Sequence, residues 1–170
     1  MHGVLTAAEL EQRLAAEFPE AFHADSGLAI LEARHRHARV RFTPPANALR
    51  PGGTVSGPTL MLLADVAMYV AVLASIGWVP LAVTTNLNIN FLRKPQPGAL
   101  ISECHLLKLG KRLAVGQVTI RGEAEDGEEP LAHAIATYSS PPQTNGLPDG
   151  KIEPKFYDSD SVEFITGDRH

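Results

Sequence analysis

One stretch near the middle of the chain restricts the fold more than any other. Arg50-Pro-Gly-Gly-Thr-Val-Ser-Gly-Pro-Thr59 leads into a run from Leu60 to Trp78 that is apolar on nearly every side and carries a single charge, Asp65. A Gly/Pro-rich turn feeding such a run predicts a helix wrapped by other structure all round. Leu60, Leu63, Val66, Met68, Val72 and Ile76 leave it no polar face. A carboxylate two turns into a buried helix is costly unless something pairs or uses it, which makes Asp65 the first candidate for chemistry. The run is close to the roughly 20 residues that a bilayer span requires. Asp65 interrupts it, however, small residues dilute it, and no Lys/Arg cluster flanks it, so the reading is a core helix and not a membrane segment.

The remaining elements follow from periodicity. Thr6 to Phe22 reads as an amphipathic helix, with Thr6 and Glu9 at capping-box spacing and Leu10, Leu14 and Phe18 at four-residue steps. Gly27 to Thr43 alternates as one or two strands with a solvated face, ended by Pro44-Pro45. Val83 to Leu92 alternates cleanly, Leu87, Ile89 and Phe91 pointing one way and Thr84, Asn86, Asn88 and Asn90 the other. Leu100–Leu109, Leu113–Glu123 and Pro130–Ser139 read as three more strands, joined at Gly110-Lys111 and Asp126-Gly127. The order is helix, strand pair, long helix, four strands. That is an α+β layout, an antiparallel sheet wrapped around one long central helix. Its open edges predict dimerisation through the sheet edge. Residues 1–26 form a lead-in, 27–140 one domain, and 141–170 a Pro/Gly/Asp/Ser-rich extension that packs on the body or on a neighbour, or stays mobile.

Composition excludes several functions. The 170 residues carry a net charge of −4, which gives no electrostatic footprint for nucleic acid. The one cysteine, Cys104, rules out an internal disulfide and reads as a buried strand residue. The first six residues lack the basic and apolar blocks of an export signal, so the expected location is cytoplasmic. Ser56 is not in a nucleophile elbow, because Thr54 and Pro58 occupy its glycine positions. Gly52 to Gly57 has phosphate-loop spacing, but Pro58 and Thr59 stand where a Lys should follow. His35 and His37 share a strand face; without an evident third ligand they read as solvated histidines, and no metal is expected.

From Leu28 to Ser140 the chain resembles the hotdog-fold acyl-CoA thioesterases of the phenylacetyl-CoA type. In that family a loop Asn-x-x-x-x-x-His-Gly-Gly leads into the long helix, and an acidic residue follows eight positions after the first Gly. Gly57 and Asp65 match the first Gly and the acid, and Asn90-Phe91-Leu92-Arg93 is similar to the close of the family's next strand. Arg50, Ser56 and Pro58 stand in place of the Asn, the His and the second Gly, so only Gly57 and Asp65 carry over. The resemblance implies hydrolysis of acyl-CoA, with the carboxylate acting as general base or as nucleophile and the Gly57 N–H polarising the carbonyl. It implies a site built between two subunits, so the expected assembly is a homodimer or a homotetramer, with no cofactor beyond the coenzyme A of the substrate.

The residues themselves add detail to this expectation. Pro58 suits the first helical position, which makes Gly57 the cap. Arg50 is either a second donor to the carbonyl or a partner that lowers the pKa of Asp65. Ser56 hydrogen-bonds backbone or substrate at the helix start, and Thr59 joins it among the substrate-binding candidates. Met61 and Tyr69, one turn either side of Asp65, line an acyl pocket or pack in the core. For Thr84 and Asn86, on one strand face, the resemblance implies that the face borders the acid and that one of them orients water; the alternative is a polar strand face at a subunit contact. Arg93, Lys94 and the turn Gly110-Lys111-Arg112 are phosphate contacts or ordinary surface charge. The rival reading is a non-catalytic acyl-CoA-binding domain of the same fold. A dehydratase ranks third, since it needs a His at the helix start.

Overall fold

The computed structural model describes residues 5–124 and 129–141. Helix α1 (Ala7–Glu17) opens with the expected capping box: the Thr6 hydroxyl accepts from the Glu9 N–H while the Glu9 carboxylate accepts from the Thr6 N–H at 2.8 Å. It stops short of Phe22 because Phe18 precedes Pro19, whose ring disfavours the helical conformation in the residue before it. Strands β1 (Leu28–Arg34) and β2 (His37–Phe42) form a hairpin. His35 falls in its turn, so it does not share a strand face with His37, and His37 is buried rather than solvated. A miniature hairpin of β3 (Leu49–Arg50) and β4 (Thr54–Val55), which periodicity over two residues cannot reveal, leads into α2 (Gly57–Ile76). Then follow β5 (Val83–Phe91), β6 (Leu100–Leu109), β7 (Leu113–Gly122) and β8 (Ala132–Ser139). The Asp126-Gly127 connection and the extension beyond residue 141 lie outside the described residues.

Six strands form one antiparallel sheet in the order β1-β2-β6-β7-β8-β5, and it curls around α2. Alternate residues face the helix: Ala38, Val40 and Phe42 on β2, Leu100, Ser102 and Cys104 on β6, Ala114, Gly116 and Val118 on β7, and Ala132, Ala134 and Ala136 on β8. Small residues in the middle of the sheet let the helix approach closely. A Cβ on Gly116 would sit 2.6 Å from Met68 Sδ and 3.1 Å from Leu106 Cδ2. The Ser102 hydroxyl, fully buried, donates to the Leu63 carbonyl at 3.0 Å, so its burial leaves nothing unsatisfied.

Three expectations need correction. First, α2 is long and apolar enough to cross a membrane, yet most of it is buried against the sheet. It is not wrapped all round: Met61 and Leu62 are 41% and 49% exposed. Second, Ser56, not Gly57, is the cap, and its hydroxyl accepts from the Thr59 N–H, so Gly57 becomes the first helical residue and Pro58 the second. Third, the register of β5 against β8 shifts between Thr84 and Asn86. The extra residue, Thr85, reverses the parity of side chains across it. Thr84, opposite inward-facing Tyr138, points towards the helix, whereas Asn86, opposite Thr137, points outward. Thr84 and Asn86 therefore lie on opposite faces.

Candidate active site

Asp65 sits half-buried on the side of α2 that meets β5 and β8. Its Oδ1 accepts from the Thr84 hydroxyl at 2.5 Å and from the Tyr138 hydroxyl at 2.8 Å. The same phenol oxygen lies 3.2 Å from the Asp65 carbonyl. Thr84 reaches the acid because the bulge turns it inward. Tyr138 reaches it because it ends the inward row Ala132, Ala134, Ala136, where its bulk fills the space beyond three small residues. Burial pushes the Tyr138 phenol above its ordinary value, and the Asp65 charge pushes it further, so it remains a protonated donor. Among the described residues no donor reaches Oδ2, so one carboxylate oxygen is clamped and the other has no protein partner.

Asp65, Thr84 and Tyr138 line a cavity of about 400 Å³. Leu14 and Phe18 from the end of α1, with Tyr69, Trp78 and Pro80, give it apolar walls, and Glu17 stands at its rim. Tyr69 is stacked on Tyr138, ring centroids 6.0 Å apart, and its hydroxyl donates to the Pro80 carbonyl at 3.3 Å. Burial, and then the Glu17 charge, raise the Tyr69 pKa. Arg13 covers the Trp78 ring, its Cζ 5.5 Å from the centroid.

A second cleft, about 350 Å³, lies at the start of α2 between Val55, Gly57, Leu60, Phe91, Leu92, Arg93, Lys94 and Pro95. The first-turn N–H groups of a helix have no helical acceptor. Here Ser56 satisfies that of Thr59, Pro58 has none, and the N–H of Gly57 remains. A Cβ on Gly57 would come within 3.3 Å of the Phe91 ring, so glycine keeps that aromatic close to the helix start. At about 1.5 Å per residue, the eight steps from Gly57 to Asp65 separate the two sites by about 12 Å along the helix. One protomer cannot bring both to a single carbonyl group.

The other candidate residues divide between these two places and the surface. Ser56 and Thr59 hydrogen-bond each other, with their hydroxyl oxygens 3.1 Å apart. Arg50 is exposed on β3 and makes no ion pair with Asp65 among the described residues, so within the protomer hydroxyl groups take the place of the expected cation. Tyr69 lines the cavity, while Met61 is exposed outside it. Asn86 is exposed on the outer sheet face. Arg93 lines the second cleft and donates through Nε to the Glu129 carbonyl at 2.8 Å, and exposed Lys94 lies beside it. Gly110 closes the β6–β7 turn through its N–H to the Leu113 carbonyl at 2.8 Å. Lys111 and Arg112 are exposed there, at the sheet end that carries Tyr138, because Leu113 pairs with Ser139 and the Ser140 N–H reaches the Arg112 carbonyl. Sequence reasoning missed Tyr138 and the walls from Leu14, Phe18 and Trp78. The signal for Tyr138 was present: it is the one large residue in an alternating row of alanines.

Residues 52–129 match the thioesterase superfamily. No match was found among curated proteins. Among solved structures, the chain is similar to a candidate thioesterase from Silicibacter sp. TM1040, with 40% identity over 82% of this chain and 94% of that one and a TM-score of 0.72. The fold is shared with zebrafish thioesterase superfamily member 2 (21% identity, 79% and 98% covered, TM-score 0.67). It is also shared with the E. coli PaaI protein of the phenylacetic acid degradation operon (22% identity, 79% and 92% covered, TM-score 0.66).

Proposed function

Because the chain belongs to the thioesterase superfamily and is a thioester hydrolase, we propose that it cleaves acyl-CoA thioesters to the free acid and coenzyme A. The observation that carries this reading is the half-clamped carboxylate: Oδ1 of Asp65 is held by two hydroxyl groups at the edge of an apolar-walled cavity, and Oδ2 is left for a reactant. Asp65 takes a proton from water as the water oxygen bonds to the thioester carbonyl carbon. The oxyanion that forms is stabilised by the Gly57 N–H, whose helix end also presents positive dipole charge. Collapse breaks the carbon–sulfur bond, and the coenzyme A thiolate leaves with the proton that Asp65 had received. The acyl group occupies the cavity beside Tyr69 and Trp78. Lys111 and Arg112 at one end, and Arg93 and Lys94 at the other, contact the phosphates of coenzyme A in this reading, and Arg50, exposed on the hairpin before α2, acts as a further donor.

The catalytic unit in this reading is a homodimer. The separation between Gly57 and Asp65 supports it, as do the uncovered stripe of Met61 and Leu62 and the open edge of β5, a strand paired on one side only. Each site takes Asp65 from one chain and Gly57 from the other.

A thiol-release assay over a panel of acyl-CoAs tests the activity, and single-turnover hydrolysis in ¹⁸O-water tests the role of Asp65. General-base chemistry puts the label into the acid product and none into the protein. Label in the Asp65 side chain would make it the nucleophile instead. Tight binding with no coenzyme A release would make acyl-CoA a bound ligand rather than the substrate, and would overturn this reading.

A further inference from the structure

The outer face of the sheet carries a cluster that thioester hydrolysis does not use. Antiparallel register sets His37 of β2 directly opposite His105 of β6, and Glu103, two residues from His105, shares their face. His37 Nε2 lies 2.8 Å from Glu103 Oε1, and His105 Nε2 lies 3.4 Å from the same oxygen. The potential ligand atoms of all three residues lie within 4.8 Å of one another. We propose that this cluster is a binding site for a divalent transition-metal ion of the Zn²⁺ type, with His37 Nε2, His105 Nε2 and a Glu103 carboxylate oxygen as ligands.

Three observations carry the assignment. The first is spacing: ligands about 2 Å from a shared tetrahedral ion sit about 3.3 Å from each other, close to the distances found here. The second is the state of His37. Its side chain is only 3% exposed, and its Nδ1 makes no hydrogen bond although it lies 3.5 Å from Glu32 Oε1. Metal at Nε2 fixes the proton on Nδ1, facing that carboxylate, and a ligating histidine usually has such a carboxylate behind it. The third is charge. Arg34 contacts Glu32 at 2.6 Å and Arg39 stands opposite Glu103, so the carboxylates are largely offset. Affinity then rests on bonds to imidazole rather than on net negative charge, which favours zinc-like ions over Ca²⁺ or Mg²⁺. His105 and Glu103 are exposed enough for an ion to enter from solvent and keep water in its remaining positions.

Calorimetric titration of the untagged, chelator-stripped full chain with ZnCl₂ near pH 7.5 tests the site. Because His105 is half-exposed, His105→Ala leaves the fold intact, whereas a change at buried His37 risks it. The expected result is one Zn²⁺ per chain, bound at least about tenfold more weakly by His105→Ala and about tenfold more weakly by Glu32→Gln, with His35→Ala unchanged. No saturable binding by the wild type, or equal binding by wild type and His105→Ala, overturns the proposal and leaves the cluster as a His37–Glu103 hydrogen bond only.

Discussion

Asp65 is a half-buried carboxylate held by neutral partners. Two hydroxyl donors on Oδ1 fix its orientation without neutralising it, as a guanidinium would. Asp65→Asn is expected to lower kcat by at least about a hundredfold in the thiol-release assay, the scale of a lost general base. Near-wild-type turnover would remove Asp65 from the mechanism. Tyr138→Phe keeps the ring stacked on Tyr69 and deletes one donor to a charged group, so kcat should fall about tenfold or more with KM within about twofold. Cys104 makes a separate prediction. Burial pushes its thiol up to about 12, and its Sγ lies 3.7 Å from Met68 Sδ. The native protein should therefore resist thiol reagents at pH 8 and react once unfolded. The folded pKa is raised above the ordinary 9.0, so this contribution to stability is complete below pH 9 and is lost as pH rises towards 12. The shift at Tyr138 has the same sign. A thermal midpoint that rises across that alkaline range would contradict the assignment.

At the scale of elements, the site exists because helix and sheet meet closely and because one strand is irregular. Gly116 on β7 admits Met68, and the alanines of β8 bring α2 within reach of Tyr138. Gly116→Ala forces its methyl into a space already filled by Met68, Leu106 and Cys104, and should destabilise the protein by about 1–3 kcal/mol in urea unfolding. An unchanged midpoint would mean that Met68 swings aside without loss. The bulge at Thr85 has the larger functional consequence. Without the extra residue Thr84 would share the outward face of Asn86, and Asp65 would lose one of its two donors.

At the scale of the molecule, the proposed mechanism makes assembly a condition of activity, because Gly57 and Asp65 stand about 12 Å apart along one rigid helix. Gly57→Pro deletes the N–H at the first helical position, where proline suits the helical backbone although its Cβ presses on the Phe91 ring. Each of Gly57→Pro and Asp65→Asn alone should be nearly inactive. Co-expressed in equal amounts, they should regain about a quarter of wild-type activity, because half of the dimers are mixed and each mixed dimer holds one intact site. No recovery in mixed dimers would show that Gly57 and Asp65 do not meet across an interface.

The sequence by itself determined the helix–sheet order, the buried central helix, and the candidacy of Asp65 and Gly57. These are local properties: apolar periodicity, proline and glycine positions, and a charge where none is tolerated cheaply. Only the tertiary structure decided which groups hold Asp65. A one-residue bulge flips the face of Thr84 without changing the alternation around it, and Tyr138 joins Asp65 from 73 positions away. The same holds for His37, whose partners Glu103 and His105 come from a strand more than sixty residues later. Strand register brings such groups together, and register is set by the packing of whole faces against the helix, not by the residues near each group in the chain.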